Sequence, residues 1–229
     1  MKPYIKNNVT AQVEKTVTRR LAHGDLDELM RLQETVLAVL ADKSLYIPLR
    51  RADFEQFLDG SGEIHGIFTR DTLCGVCSVF MPGNGAENLG RDIGISDSEL
   101  PVCAILAGIM VAPEYRQNGI ARELINICIR RAAEMLGARY VLAAVSPKDT
   151  AGMLSFMSIH KMRLKALKQK YGCKLRYILC YQHDDRRLYT VYDRYALGDV
   201  YSISKALADG YEGIATFRNE DGTYIWLSK

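Results

Sequence analysis

The stretch Val102–Glu123, VCAILAGIMVAPEYRQNGIARE, decides how this chain is read. Residues 102–111 are almost wholly apolar, which predicts a buried strand, and Pro113 ends it. A polar turn, residues 112–118, carries the backbone to Gly119. Apolar positions at helical spacing follow, with Ile120, Leu124, Ile127, Cys128 and Met135 expected on one buried face and Gly137 as the stop. A strand thus delivers the chain to a loop, and the loop opens a helix. The first amides of such a helix lack intrahelical partners, and the macrodipole adds partial positive charge there. The arrangement holds phosphate without a dedicated cation. Gly119 removes the Cβ that would block close approach, and Ala121 keeps the next turn slim.

Working outward toward the N-terminus, residues 82–100 (PGNGAENLGRDIGISDSEL) form a long polar connection. Glu63–Thr69 and Leu73–Met81, separated by Arg70-Asp71, read as a hairpin. A short helix is expected over 51–59 and a longer one from Asp25 to about Ala41, with Asp25 as N-cap and Glu28 as the matching carboxylate. Gln12–Arg20 alternates as a strand. Toward the C-terminus, Arg139–Val145 is a continuous apolar strand, and Asp149 caps a helix through Phe156. Lys161–Ala166 alternates basic and apolar residues, and Leu175–Tyr181 is a further strand. Beyond about residue 184 the composition shifts to Arg, Asp and Tyr. There the pattern predicts an edge strand at Leu188–Tyr192, a helix over 201–209, and a hairpin across Asn219-Glu220-Asp221-Gly222. The expected division is residues 1–183 as the main domain and 184–229 as a small α+β appendage.

The chain has 229 residues, 48% hydrophobic and 25% charged, with a formal net charge of +3, which suits a globular protein and argues for no nucleic-acid partner. No apolar run approaches the roughly 20 residues of a membrane span. The first 15 residues hold no apolar signal region, so no export and no membrane partner are expected. Six scattered cysteines suit a reducing, cytoplasmic setting. Cys74-x-x-Cys77 lies on a predicted strand, where residues three apart face opposite ways, and no second pair completes a zinc site. The two are read as buried small hydrophobes, and no metal is expected. The four histidines are dispersed, with His160 the one placed near a helix end.

Arg116-x-x-Gly119-x-Ala121, preceded by Met110-Val111-x-Pro113, resembles motif A of the GNAT superfamily of N-acetyltransferases. The order of predicted elements over about residues 12–183 agrees. The resemblance implies an α/β fold, a central mixed and mainly antiparallel sheet flanked by helices. It also implies acetyl transfer from acetyl-CoA, as cosubstrate, to an amine of a small molecule or peptide by direct attack. The amides of Gln117, Asn118, Gly119, Ile120 and Ala121, beside Arg116, would hold the pyrophosphate. The strand edge at Met110 and Val111 would pair with the pantetheine arm, and Gly108 would mark the bulge where two strands splay.

Acetyl transfer needs a neutral amine, a donor for the oxyanion and a proton for the leaving thiolate. The family often places a glutamate base on the central strand, and Val102–Val111 contains no carboxylate. Glu99, shortly before it, is the candidate base. Near the position of the family's usual tyrosine acid stand Phe156 and Met157, so Tyr171 is the candidate acid. Asp149 replaces the usual asparagine and is read as an N-cap. Tyr46, Arg50 and Arg51 lie in the loop that helps form the acceptor pocket in the family and are candidate acceptor contacts. Lys161, Arg163 and Lys165 share a strand face, read as solvated or as a positive rim for an anion. With the usual base and acid missing from their places, a non-catalytic CoA-binding sensor is the other reading, and a nucleotide-phosphate binder a third. The appendage is open to two roles, covering the acceptor site or forming a homodimer surface.

Overall fold

The computed structural model of the chain describes residues 3–70, 72–185 and 187–229. Asp71 of the expected hairpin turn and the side chain of Met135 lie outside the described residues. By their contacts the residues fall into two compact units, one up to 81 together with 106–137, the other 82–105 together with 138–229.

In the first unit, β1 (Tyr4–Lys6), β2 (Val13–Arg20), β3 (Gly62–Thr69) and β4 (Thr72–Phe80) pair antiparallel in chain order. The later part of β5 (Cys103–Val111) follows β4 in the strand order. β3 and β4 are buried almost throughout, as their run of Val, Ile, Leu, Phe and Cys requires. Cys74 and Cys77 are fully buried free thiols. α1 (Leu26–Ala38) and α3 (Ile120–Leu136) pack on this sheet, and α2 (Arg51–Gln56) runs into a π turn that Gly60 ends at φ 120°.

Two helix details differ from expectation. Asp25 stands at the N-cap of α1, as expected, but makes no side-chain cap bond; its carboxylate accepts from the Ala22 amide (2.8 Å) and pairs with Arg19. Glu28 accepts from the Leu73 amide (2.6 Å), joining α1 to β4 instead of closing a capping box. The buried face of α3 is Ile120, Leu124, Ile125, Cys128, Ile129 and Ala132, and Ile127 is only half-buried.

In the second unit, the start of β5 pairs in parallel with β6 (Tyr140–Val145) from Cys103↔Tyr140 to Ile105↔Leu142. Antiparallel neighbours follow in the order β8 (Lys174–Gln182), β7 (Arg163–Lys170), β10 (Glu212–Asn219), β11 (Gly222–Ser228) and β9 (Tyr192–Ala196). α4 (Thr150–Leu154) is capped by Asp149, whose Oδ1 accepts from the Gly152 amide at 2.9 Å, as read from sequence. α5 (Val200–Ala208) packs on β7.

The edge strand lies at Tyr192–Ala196, not Leu188–Tyr192. Asp185, Arg187 and Tyr189 are instead engaged through side chains. Arg187 binds Asp185 and Glu212, Tyr189 donates to Glu212, and Leu188 is 93% exposed. Of the basic stripe, Lys161 is exposed, whereas Arg163 and Lys165 are engaged rather than free. Lys165 pairs with Glu212 (2.5 Å), Arg163 donates to the Ile214 carbonyl (2.7 Å) beside Asp185, and Lys170 pairs with Asp92 (2.8 Å). The C-terminal residues therefore supply both β7's neighbouring strand and two of its counter-charges.

Candidate donor site

The site is built within the first unit, at the junction of β5 and α3. Gly108 breaks β5 with φ 57°, a conformation that costs a side-chain-bearing residue about 1–2 kcal/mol. Over it sit Leu49 Cδ1 and Phe54 Cε1, each 3.2 Å from where a Cβ would be. Met110 is buried, Val111 is half-buried, and the Ala112 amide donates to the Cys74 carbonyl (2.9 Å), fixing the strand's exit to β4.

A 3-10 turn, Pro113–Tyr115, then reverses the chain. Gln117 (φ 64°) and Gly119 (φ 79°) are both left-handed, and Gly119 is the N-cap of α3 without a side-chain cap bond. Among the described residues the amides of Gln117, Asn118 and Gly119 have no protein acceptor, and those of Ile120, Ala121 and Arg122 belong to the first turn of α3. Six successive donors therefore stand at the positive end of a 17-residue helix. Arg116 and Arg122 are exposed and make no ion pair among the described residues.

The helix start is placed by close packing. A Cβ on Gly75 of β4 would lie 2.5 Å from Ile120 Cγ2 and 3.1 Å from the Met110 carbonyl oxygen. Further along α3, Arg131 donates to both oxygens of Glu63 at 2.8 and 2.6 Å, and this buried carboxylate also takes the His65 ring nitrogen at 2.8 Å. The Arg131 hydrogen bonds, with help from His65, hold Glu63 down at a pKa of about 2 against its desolvation.

The turn is also braced from behind. Lys6 of β1 donates its amide to Asn118 Oδ1 (2.9 Å) and accepts from Asn118 Nδ2 (2.8 Å). Asn8 donates its amide to the Glu114 carbonyl (2.7 Å) and its Nδ2 to the Arg116 carbonyl (2.8 Å). Tyr115, buried, donates its hydroxyl to Glu14 (2.8 Å), and burial first of all pushes its phenol pKa up. Sequence reading did not find Lys6, Asn8, Glu14 or Gly75, because none belongs to a local pattern.

The candidate acceptor loop is in the same unit. Its centre is Gln33 of α1, 4% exposed, whose side chain pairs with both backbone groups of Leu49 (Nε2 to O 2.8 Å, N to Oε1 3.0 Å) and accepts from the Tyr46 hydroxyl (3.3 Å). Loss of hydration raises the Tyr46 pKa. Arg50 is engaged by Asp53, and Arg51 by Asp27 and Glu55, so neither guanidinium is unpaired.

Glu99 and Tyr171 belong to the second unit. Glu99 Oε1 accepts from Arg139 (2.9 Å) and from the Tyr140 hydroxyl (3.0 Å). Tyr171 sits in the β7–β8 turn at φ 51°, 46% exposed, and its hydroxyl makes no hydrogen bond among the described residues. Loss of hydration raises its pKa, with Arg176 opposing, so the phenol stays protonated through neutral pH.

A family model described as the acetyltransferase (GNAT) family matches residues 27–157, more than half of the chain. The chain belongs to the GNAT acetyltransferase family. Solved structures agree in fold. A probable acetyltransferase from Staphylococcus epidermidis is 20% identical, with 73% of this chain and 99% of that one covered and a TM-score of 0.56. Arabidopsis thaliana NAA60 in complex with acetyl-CoA is 16% identical, with 74% and 99% covered and a TM-score of 0.56. The putative acetyltransferase yncA from Salmonella typhimurium, with acetyl-CoA, is 14% identical, with 76% and 96% covered and a TM-score of 0.53. At these identities the likeness is one of fold. Comparison with curated protein sequences finds no match. The GNAT fold class expected from motif A, a mixed and mainly antiparallel sheet flanked by helices, is the one observed. No described helix is long and apolar enough to cross a membrane, and no described cluster of His, Cys, Asp or Glu has the makings of a metal site.

Proposed function

We propose that this GNAT protein is an acetyl-CoA-dependent N-acetyltransferase acting by direct attack of an amine of a small molecule or peptide. The observation that carries the reading is the run of amides from Gln117 to Arg122, the first three without a protein acceptor among the described residues and the rest in the first turn of α3, which suits a pyrophosphate in charge. Arg116 adds an unpaired cation at the same turn. Met110 and Val111 offer backbone groups to the peptide-like pantetheine arm. Bound acetyl-CoA supplies an activated thioester. Leu49 and Phe54, held over Gly108, exclude water beside the strand that would carry it.

Tyr171 is the proposed proton donor, since its hydroxyl is unengaged and protonated. Glu99 is the weaker of the two catalytic candidates, because a base must first give up Arg139 and Tyr140. Proximity and desolvation then carry much of the amine activation. Tyr46 and the backbone around Leu49 are the proposed acceptor contacts, ahead of the paired Arg50 and Arg51. A reducing cytoplasmic setting is supported by six free cysteines.

The test is thiol release from acetyl-CoA across a panel of amines, with Gly119→Trp as the control that blocks the seat. Turnover that Gly119→Trp abolishes, and that Tyr171→Phe lowers in kcat about 100-fold or more at unchanged KM for acetyl-CoA, supports the reading. The lack of a carboxylate on β5 favours one rival, a CoA-binding sensor. Tight CoA binding with no turnover on any amine establishes that rival instead.

A further inference from the structure

The N-terminal strand makes contacts that a sheet edge does not need. β1 is three residues long, and its partner β2 runs on well beyond it. Lys6 nevertheless presents both of its backbone groups to one side chain, the carboxamide of Asn118, which imitates a peptide group and completes a two-bond pair. Asn118 Nδ2 also reaches the Tyr115 carbonyl at 3.0 Å. Asn8 adds its two bonds to Glu114 and Arg116. The carbonyls of three successive loop residues, 114 to 116, are therefore all tied to the N-terminal segment or to the side chain it grips.

This matters for the direction of the amides. In a trans peptide the C=O and the next N–H point to opposite sides. Fastening the Arg116 carbonyl to Asn8 therefore points the Gln117 amide away from the N-terminal segment. Gln117 sits in a left-handed conformation that a non-glycine residue leaves readily unless its neighbours hold it. Tyr115, bonded to Glu14 and Thr69, anchors the same turn from β2 and β3.

We propose that Asn118 and Asn8, acting with β1, are positioning residues of the CoA site. They clip the N-terminal segment to the back of the pyrophosphate turn and hold its amides convergent before ligand arrives. The inference rests on the donor-site reading above. A turn held in its binding geometry spares the ligand the cost of ordering it, so cutting the clip weakens binding without removing any group that touches the ligand. Linkage makes the effect reciprocal, and bound CoA tightens the clip in turn.

The experiment uses the full chain and free CoA. Affinity is measured by calorimetry for the natural chain, Asn118→Ala, Asn8→Ala and the double variant, and amide exchange is followed over residues 3–10 with and without CoA. The expected result is a Kd raised about tenfold by each single variant, and little further by the double, since both cut one clip. CoA is expected to slow exchange at Lys6 and Asn8 in the natural chain and not in Asn118→Ala, a coupling that a merely structural bond would not show. If the variants do not fold, the exchange result on the natural chain decides by itself. Natural protein that binds CoA, with folded variants binding equally well or with no slowing over residues 3–10, overturns this proposal alone. Natural protein that does not bind CoA overturns the donor-site reading and this proposal with it.

Discussion

Arg131→Ala tests what seats α3, and with it the amide run, on the sheet. Glu63 has a side chain 5% exposed and accepts two short bonds from Arg131, one from His65, and a longer contact from Arg20 at 3.5 Å. Removing Arg131 strands a buried carboxylate, a change that costs about 3–5 kcal/mol. His65 and Arg20 remain, so the lower end applies. The titration gives a second route to the magnitude. Glu63 is lowered from 4.5 to about 2 by Arg131 first and His65 second, which sets an upper bound of roughly 3 kcal/mol on the Arg131 share at 1.36 kcal/mol per pH unit. Because the folded pKa is the depressed one, this stability is present in full above about pH 4.5 and is lost as pH falls through 2. Urea unfolding at pH 7 is expected to place Arg131→Ala about 3 kcal/mol below the natural chain, and at pH 3 only about 1.5 kcal/mol below it. Arg131→Met, which keeps the apolar stem, separates lost packing from lost charge. A deficit of the same size at both pH values, or one that Arg131→Met fully repairs at pH 7, refutes the ion-pair account.

Two further outcomes follow from the same structure. Gln33→Leu leaves both backbone groups of Leu49 and the Tyr46 hydroxyl without their partner; a loss of about 1–3 kcal/mol is expected, read as a lower urea midpoint at unchanged slope. Deleting residues 184–229 strips β10 from β7, takes Glu212 and Asp185 from Lys165 and Arg163, and removes Leu197, Ile203, Ile225 and Leu227, all at most 2% exposed. The truncated chain is expected to lose cooperative unfolding of its second unit, and a truncated chain with an intact sharp transition would show that the segment is dispensable.

Strand, turn and helix at residues 102–137 were legible because each is written in a local period. The apolar run, Pro113, Gly119 and the helical spacing of Ile120, Leu124 and Cys128 need no distant partner to be read. The long hairpin of β3 and β4 was legible for the same reason. What sequence order hides is the partner far along the chain. Asn118 is read from sequence for its backbone amide alone, yet the residue its side chain grips is 112 positions away. Arg163 and Lys165 read as a solvated stripe because like charge recurs at every second position, and the acid that meets Lys165 lies 47 positions on, in a segment that looks unrelated. Nor does sequence order show that Arg50 and Arg51, candidate acceptor contacts, are met by Asp53, Asp27 and Glu55.

The same distinction explains why a candidate donor seat is easier to propose from sequence than catalytic groups are. The phosphate recognition proposed for this chain would use backbone amides, and a helix start with a glycine marks where such amides stand. A base or an acid is a single side chain whose competence depends on what surrounds it. Glu99 shows the point, since a carboxylate in a polar loop looks available until Arg139 and Tyr140 close on it. Tyr171 shows the converse. One of 13 tyrosines, it combines a left-handed backbone with a half-exposed side chain whose hydroxyl has no partner among the described residues.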